Sequence, residues 1–265
     1  MLTRIITSVI GLFVFFLIVL SDAIVAEIAI FLLTAGMLYE LYSALKCKRK
    51  VFLLGILSFL VLIFGEKIAA GFGSAIFILL FLIFTVAEHG KINHKEIFTT
   101  AFITYYTVVL MNYIGRTRVD FGVCAMILIF VCAWMTDTGA YFSGVFLGKH
   151  KLIPRVSPKK TIEGSVGGII ITTLSAMLYL FIISKIGNNI PGISFDLAGY
   201  AKMAAIGFIA GILTQFGDLA ASAIKRDCDI KDFGHIFPGH GGLMDRFDSV
   251  IFIAPVIYYF ISFLQ

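Results

Sequence analysis

Residues Asp218 to Asp248 read DLAASAIKRDCDIKDFGHIFPGHGGLMDRFD, and how this stretch is read decides the fold. It begins inside an apolar run, about 201–222, and ends inside another, about 247–264. Between the two lie Asp227, Asp229, Asp232 and Asp245, with the cations Lys225, Arg226, Lys231 and Arg246. Each flanking run approaches the roughly 20 residues that a helix needs to cross about 30 Å of hydrocarbon at 1.5 Å per residue. The polar segment is therefore a connection at a membrane surface, with Asp218 inside one span and Asp248 at the start of the next.

The rest of the 265 residues agrees with that reading. Hydrophobic residues make up 60% and charged residues 14%, with a mean hydropathy of +1.01, which excludes an ordinary soluble domain. The same ruler finds nine apolar runs, at about 4–21, 23–44, 51–65, 70–87, 97–114, 121–144, 164–184, 201–222 and 247–264. The expected fold is all-α: one polytopic membrane domain over 1–265, with about nine transmembrane helices. Helices to about 115 form its N-terminal part, and helices and loops from about 121 carry the candidate site. Arg4 precedes the first run and no small-x-small cleavage pattern follows it, so that run is expected to stay as a span. The four cysteines show no C-x-x-C spacing, which gives neither a disulfide framework nor a zinc site.

A net charge of +5 does not point to nucleic acid here, because basic residues in such a chain mark cytoplasmic loops. Of the 21 Lys and Arg, only Lys67, Arg116, Arg118, Lys185 and Lys202 fall on one side of the nine-span layout. The positive-inside rule puts the others in the cytoplasm. The N-terminus and the long loops at about 145–163 and 223–246 are then cytoplasmic and Gln265 is outside, in a plasma or inner membrane.

Gly207, Gly211, Thr214, Asp218, Ser222 and Lys225 follow one another at helical spacing, so one face of the eighth run grows polar toward the cytoplasm. The glycines there read as close helix packing. An ionisable group inside a span is costly and marks function by default, so Asp218 is a candidate site residue; the plainer alternative is an ion pair with Lys225 or Arg226. Asp245 and Asp248, at i and i+3, point to one side of the ninth run. With Asp218 they make a set of hard oxygen ligands suited to Mg²⁺, which uses a few carboxylates together with waters and substrate phosphates. Pro238-Gly239-His240-Gly241-Gly242 fits a phosphate cradle or a tight turn back into the membrane equally well. Asp137 lies in another apolar run, and Lys159 and Lys160 sit beside the membrane in Ser157-Pro158-Lys159-Lys160-Thr161-Ile162-Glu163-Gly164. There is no Walker A loop: Gly144 and Gly148 are one residue too close, and His150 stands where Ser or Thr is required.

Ser222-x-x-Lys225-Arg226, then Lys231-Asp232, then Pro238-Gly239-His240-Gly241-Gly242-x-x-Asp245-Arg246-x-Asp248 resembles the signature of the phosphatidate cytidylyltransferase (CDP-diacylglycerol synthase) family, over 27 positions. The loop from Ser157 to Gly164 resembles a second block of that family. The resemblance implies transfer of a cytidylyl group from CTP to phosphatidic acid, with pyrophosphate released and CDP-diacylglycerol left in the bilayer. It implies Asp218, Asp245 and Asp248 as metal ligands, with Mg²⁺ as cofactor and a second cation left open. It assigns Ser222, Lys225, Arg226, Lys231, Asp232, His240 and Arg246 to catalysis, and Lys159, Lys160, Gly239, Gly241 and Gly242 to substrate binding. Asp137 is left either as a substrate-side carboxylate or as one that supports the metal ligands from behind, and a homodimer is left open. Two alternatives stand beside this reading: cytidylyl transfer to another membrane lipid phosphate, and an ion-coupled transporter, against which the absence of a paired repeat counts.

Overall fold

A computed structural model describes residues 2–237 and 241–265, with side chains from residue 9 onward. Its elements in chain order are α1 (Leu2–Leu20), α2 (Ala23–Ala44), α3 (Arg49–Ile68), α4 (Phe72–Ala87) and α5 (His94–Leu147). These are followed by β1 (Lys151–Ile153), β2 (Ser157–Thr161), α6 (Ile162–Lys185), α7 (Leu197–Asp227) and α8 (Met244–Leu264). Among the described residues, α2, α3, α5, α6, α7 and α8 are long and apolar enough to cross a membrane, while α4 is shorter. The protein is thus an all-helical polytopic membrane protein carrying one small antiparallel hairpin, with Lys151 paired to Thr161 and Ile153 to Ser157. Large apolar side chains such as Phe13, Leu174 and Phe208 are more than half exposed, as expected of a surface facing lipid tails.

At about 1.5 Å per residue, α5 with its 54 residues would be about 80 Å long, far more than one crossing requires. It is broken at Gly122, whose φ of 87° is open to glycine and strained for other residues. The sequence places a loop at about 115–120; the structure replaces it with helix. The charges there are satisfied in place. Arg118 Nη2 donates to the Ser21 carbonyl at 2.7 Å, Arg116 lies over the rings of Tyr113 and Tyr258, and the Tyr258 hydroxyl donates to Asp120 at 2.7 Å.

Two apolar clusters organise the interior. The smaller joins α2, α3, α4 and the first part of α5 through Tyr42, Val51, Phe59, Phe77, Phe81, Ile97 and Val108. A bond of 2.6 Å between the hydroxyls of Tyr42 and Thr104 fastens it. The larger runs through α2, the rest of α5, α6, α7 and α8, with Met37, Leu128, Leu180, Met203 and Ile257 fully buried. Helices α6 and α7 pack closely, as the small-residue stripe predicts. A Cβ at Gly207 or Gly211 would sit 2.7 or 2.8 Å from the backbone of Thr173 or Ile169. On the far side, α7 is capped by Asp196, which accepts from Ser194 Oγ at 2.5 Å and the Gly199 N–H at 2.9 Å. Those bonds, Ser194 first, hold the Asp196 carboxyl below its ordinary range.

Candidate active site

The polar half of the α7 stripe faces two neighbours. Asp218 pairs with Lys160 of β2 at 2.5 Å and receives a long bond of 3.4 Å from Ser222. The expected alternative partners, Lys225 and Arg226, are used elsewhere. Lys225 Nζ donates to Asp245 of α8 at 2.8 Å and lies 5.3 Å from the centre of the Phe233 ring. Arg226 reaches back to the hairpin, with Nε 3.4 Å from the Val156 carbonyl. One helix therefore ties the hairpin loop to the start of α8, and α7 and α8 touch at Gly217, where a Cβ would meet the Asp248 carbonyl at 2.6 Å.

Asp245 accepts three hydrogen bonds. Its Oδ1 accepts from Lys225, and its Oδ2 accepts the backbone N–H groups of Phe233 at 2.8 Å and Gly242 at 2.9 Å. Its side chain is 4% exposed. Asp248 is also buried, accepts the Ser249 N–H at 2.7 Å, and lines a cleft of about 390 Å³ with Asp137, Asp245 and Arg246. Asp137, Asp218 and Asp248 lie within electrostatic reach of one another, and Lys160, Lys225 and Arg246 offset their charge.

Among the described residues, no group of three or more His, Cys, Asp or Glu side chains is placed to hold a metal ion. Of the expected set, Asp218 and Asp248 lie within electrostatic reach of each other, while Asp245 is turned to the loop and to Lys225. The carboxylates that approach one another are Asp137 and Asp248 at the cleft, with Asp218 in electrostatic reach; a pair of this kind meets the requirement of a hard cation that takes one or two protein carboxylates beside waters and substrate phosphates.

The cleft changes character along its length. Its remaining walls are Gly11, Leu12, Phe15, Phe130, Trp134, Phe237, Phe247 and Val250. Phe15, Phe130, Phe237 and Phe247 also border a second cavity of about 420 Å³ that is lined by apolar residues of α1, α2 and α5. Anionic and cationic groups thus meet a greasy chamber across a few phenylalanines.

The other expected site residues lie around this centre. Lys159 is exposed on β2, and Lys231 borders a small surface hollow with Arg226, Asp229 and Ile230. Lys231 and Asp232 form no ion pair among the described residues. Gly241, at φ 85°, accepts the Phe237 N–H at 3.0 Å and closes a turn. His240 and Gly239, with Pro238, lie outside the described residues.

One residue was missed. Glu40 of α2 is 3% exposed, and its two oxygens accept the N–H groups of Leu243 and Met244, each at 2.9 Å. The signal was present in the sequence: a carboxylate in the apolar run Met37-Leu38-Tyr39-Glu40-Leu41-Tyr42, the same anomaly that singles out Asp218.

Fold and site define a helical membrane protein whose charged cleft adjoins an apolar cavity. The chain belongs to the Cytidylyltransferase family, whose family model matches residues 2–264. It is 33% identical over 272 residues to the phosphatidate cytidylyltransferase of Bacillus subtilis (strain 168), covering 98% of this chain and 97% of the relative. It is 30% identical over 273 residues to the protein of that name from Thermotoga maritima, covering 99% and 97%. A Staphylococcus haemolyticus relative of the same name is 36% identical over 176 residues, 66% of this chain and 63% of its own length. The resemblance carried by the signature is borne out, and the chain is an enzyme by class, so the transporter reading falls away.

Proposed function

We propose that this protein transfers the cytidylyl group of CTP to phosphatidic acid, forming CDP-diacylglycerol and pyrophosphate. The observation that carries the reading is the cleft in which Asp137, Arg246 and Asp248 adjoin an apolar cavity, since it offers one substrate a polar head site and a place for its tails. A phosphate oxygen of phosphatidic acid attacks the α-phosphorus of CTP, the bond from that phosphorus to the bridging oxygen breaks, and pyrophosphate leaves with the electron pair. The attacking phosphomonoester is already largely anionic near neutral pH, so no strong base is needed. What is needed is alignment of two polyanions and stabilisation of charge on the leaving group.

On this reading the chain's cations supply that alignment. Lys159 and Lys160 on the hairpin, Arg226 in the last turn of α7, Lys231 in the loop after it, and Arg246 at the cleft can each take a phosphate oxygen. Lys160 can exchange its partly exposed Asp218 partner for a substrate oxygen, one charge-assisted bond for another, while Lys225 stays with the buried Asp245. Asp137 and Asp248, with Asp218 beside them, would hold Mg²⁺, which when bound neutralises the triphosphate and the departing pyrophosphate. Counting α5 as two crossings divided at Gly122 gives nine spans with the N-terminus and both polar loops in the cytoplasm, and labelling Gln265 from either side tests that orientation. The reaction is tested with purified protein, Mg²⁺, CTP and phosphatidic acid. The expected result is stoichiometric pyrophosphate and a cytidine-bearing lipid, both lost in Asp248→Asn. Turnover with an isoprenoid phosphate but not with phosphatidic acid would redirect the lipid assignment.

A further inference from the structure

We propose that Glu40 is a positioning residue for the transfer reaction, a clasp from the N-terminal half that fixes the first turn of α8 and with it Asp245, Arg246 and Asp248. Helix α8 has no capping side chain of its own: its N-cap, Leu243, is in helical conformation and offers no side-chain acceptor. The first N–H groups of a helix lack intrahelical partners, and leaving them buried and unpaired is costly. Glu40 supplies the missing acceptors from another helix, one oxygen to Leu243 and the other to Met244, so both the phase and the depth of α8 are set. Its negative charge also sits at the positive end of the helix dipole.

The packing around Glu40 is built for this contact. Gly234 and Gly242, on either side of the loop turn, lie against its carboxylate so closely that a Cβ at either would collide with it. One helical turn earlier, Gly36 leaves room for the Leu243 side chain. Asp245 holds the same loop through the N–H groups of Phe233 and Gly242. The segment that precedes α8 is thus gripped between two carboxylates, and only Asp245 belongs to the signature. Glu40 lines neither cavity, so its effect on chemistry passes through α8.

The activity arm of the test rests on the cytidylyl-transfer reading; the exchange arm does not. Glu40→Gln keeps the shape but sets an amide NH₂ against one of the two N–H donors. The expected result is a fall in kcat of roughly 10- to 100-fold, the scale of an ångström-level misplacement, with KM for CTP changed by less than about threefold. Glu40→Asp, which keeps the charge, recovers part of the loss. Amide hydrogen exchange in residues 241–248 accelerates in Glu40→Gln while residues 162–185 exchange as in the unmodified protein. Wild-type kcat in Glu40→Gln, unchanged exchange at 241–248, or equal acceleration in all helices would each overturn the proposal. If the unmodified protein releases no pyrophosphate from CTP and phosphatidic acid, the catalytic reading fails, and the exchange pattern alone decides whether the clasp exists.

Discussion

Two polar excursions leave the membrane helices of this protein and meet beside α7, and they are held in different ways. The hairpin after α5 is anchored by its neighbour in sequence: Glu163 accepts the N–H groups of Lys149 and His150 at 3.0 and 3.2 Å and the His150 ring at 2.6 Å, only 13 or 14 residues away. The loop before α8 is anchored by Asp245 and, across 203 residues of chain, by Glu40. The hairpin anchor is solvent-facing and local; the loop anchors are buried, and one is remote. The difference implies that the hairpin tolerates loosening, while the loop and the helix it feeds do not.

The largest effect is expected from removing the cation inside the loop clasp. Lys225→Met leaves Asp245 buried without its ion-pair partner, and breaking a buried pair from one side costs about 3–5 kcal/mol. A lowered unfolding midpoint in detergent, together with loss of turnover, checks it; an unchanged midpoint would mean that water replaces the lysine. Next comes Gly242→Ala, whose new Cβ collides with the Glu40 carboxylate. It is expected to reproduce the Glu40→Gln pattern, a fall in kcat of roughly tenfold or more with local acceleration of exchange.

What was legible in the sequence divides along the same line. The stripe Asp218, Ser222 and Lys225 was readable because helical spacing alone places those residues on one face, and Asp218 does bond to Ser222. The partners were not: Asp218 meets Lys160 rather than a cation of its own helix, and Asp245 is spent on Lys225 and two backbone donors rather than left open as a ligand. Pairings between helices depend on rotation and depth that no periodicity fixes. The supposed loop at 115–120 failed for a related reason. Arg116, Arg118 and Asp120 look like loop residues by charge, yet aromatic rings, the Ser21 carbonyl and the Tyr258 hydroxyl let them remain helical.

Smaller effects belong to the exposed anchors. Glu163→Gln loosens the hairpin that presents Lys159 and Lys160, so KM for CTP is expected to rise a few-fold with kcat nearly unchanged, opposite in kind to Glu40→Gln. A fall in kcat with KM unchanged would erase the distinction between the two excursions. Least of all is Asp196→Ala, which removes the cap of α7 and is expected to lower the unfolding midpoint slightly without touching kinetics. Because the folded carboxyl titrates below its unfolded value, its contribution is present at neutral pH and fades as pH falls through the folded value. The difference between the unmodified protein and Asp196→Ala should shrink on acidification.

The central claim, that α7, α8 and the two excursions build a site for cytidylyl transfer onto a lipid phosphate, is tested most directly by following the phosphorus atoms. With CTP labelled at the α-phosphate and phosphatidic acid in mixed micelles with Mg²⁺, the label is expected to pass into the lipid phase, while label at the γ-phosphate appears only in water-soluble pyrophosphate. No α-label in lipid, or γ-label in lipid, would contradict the account.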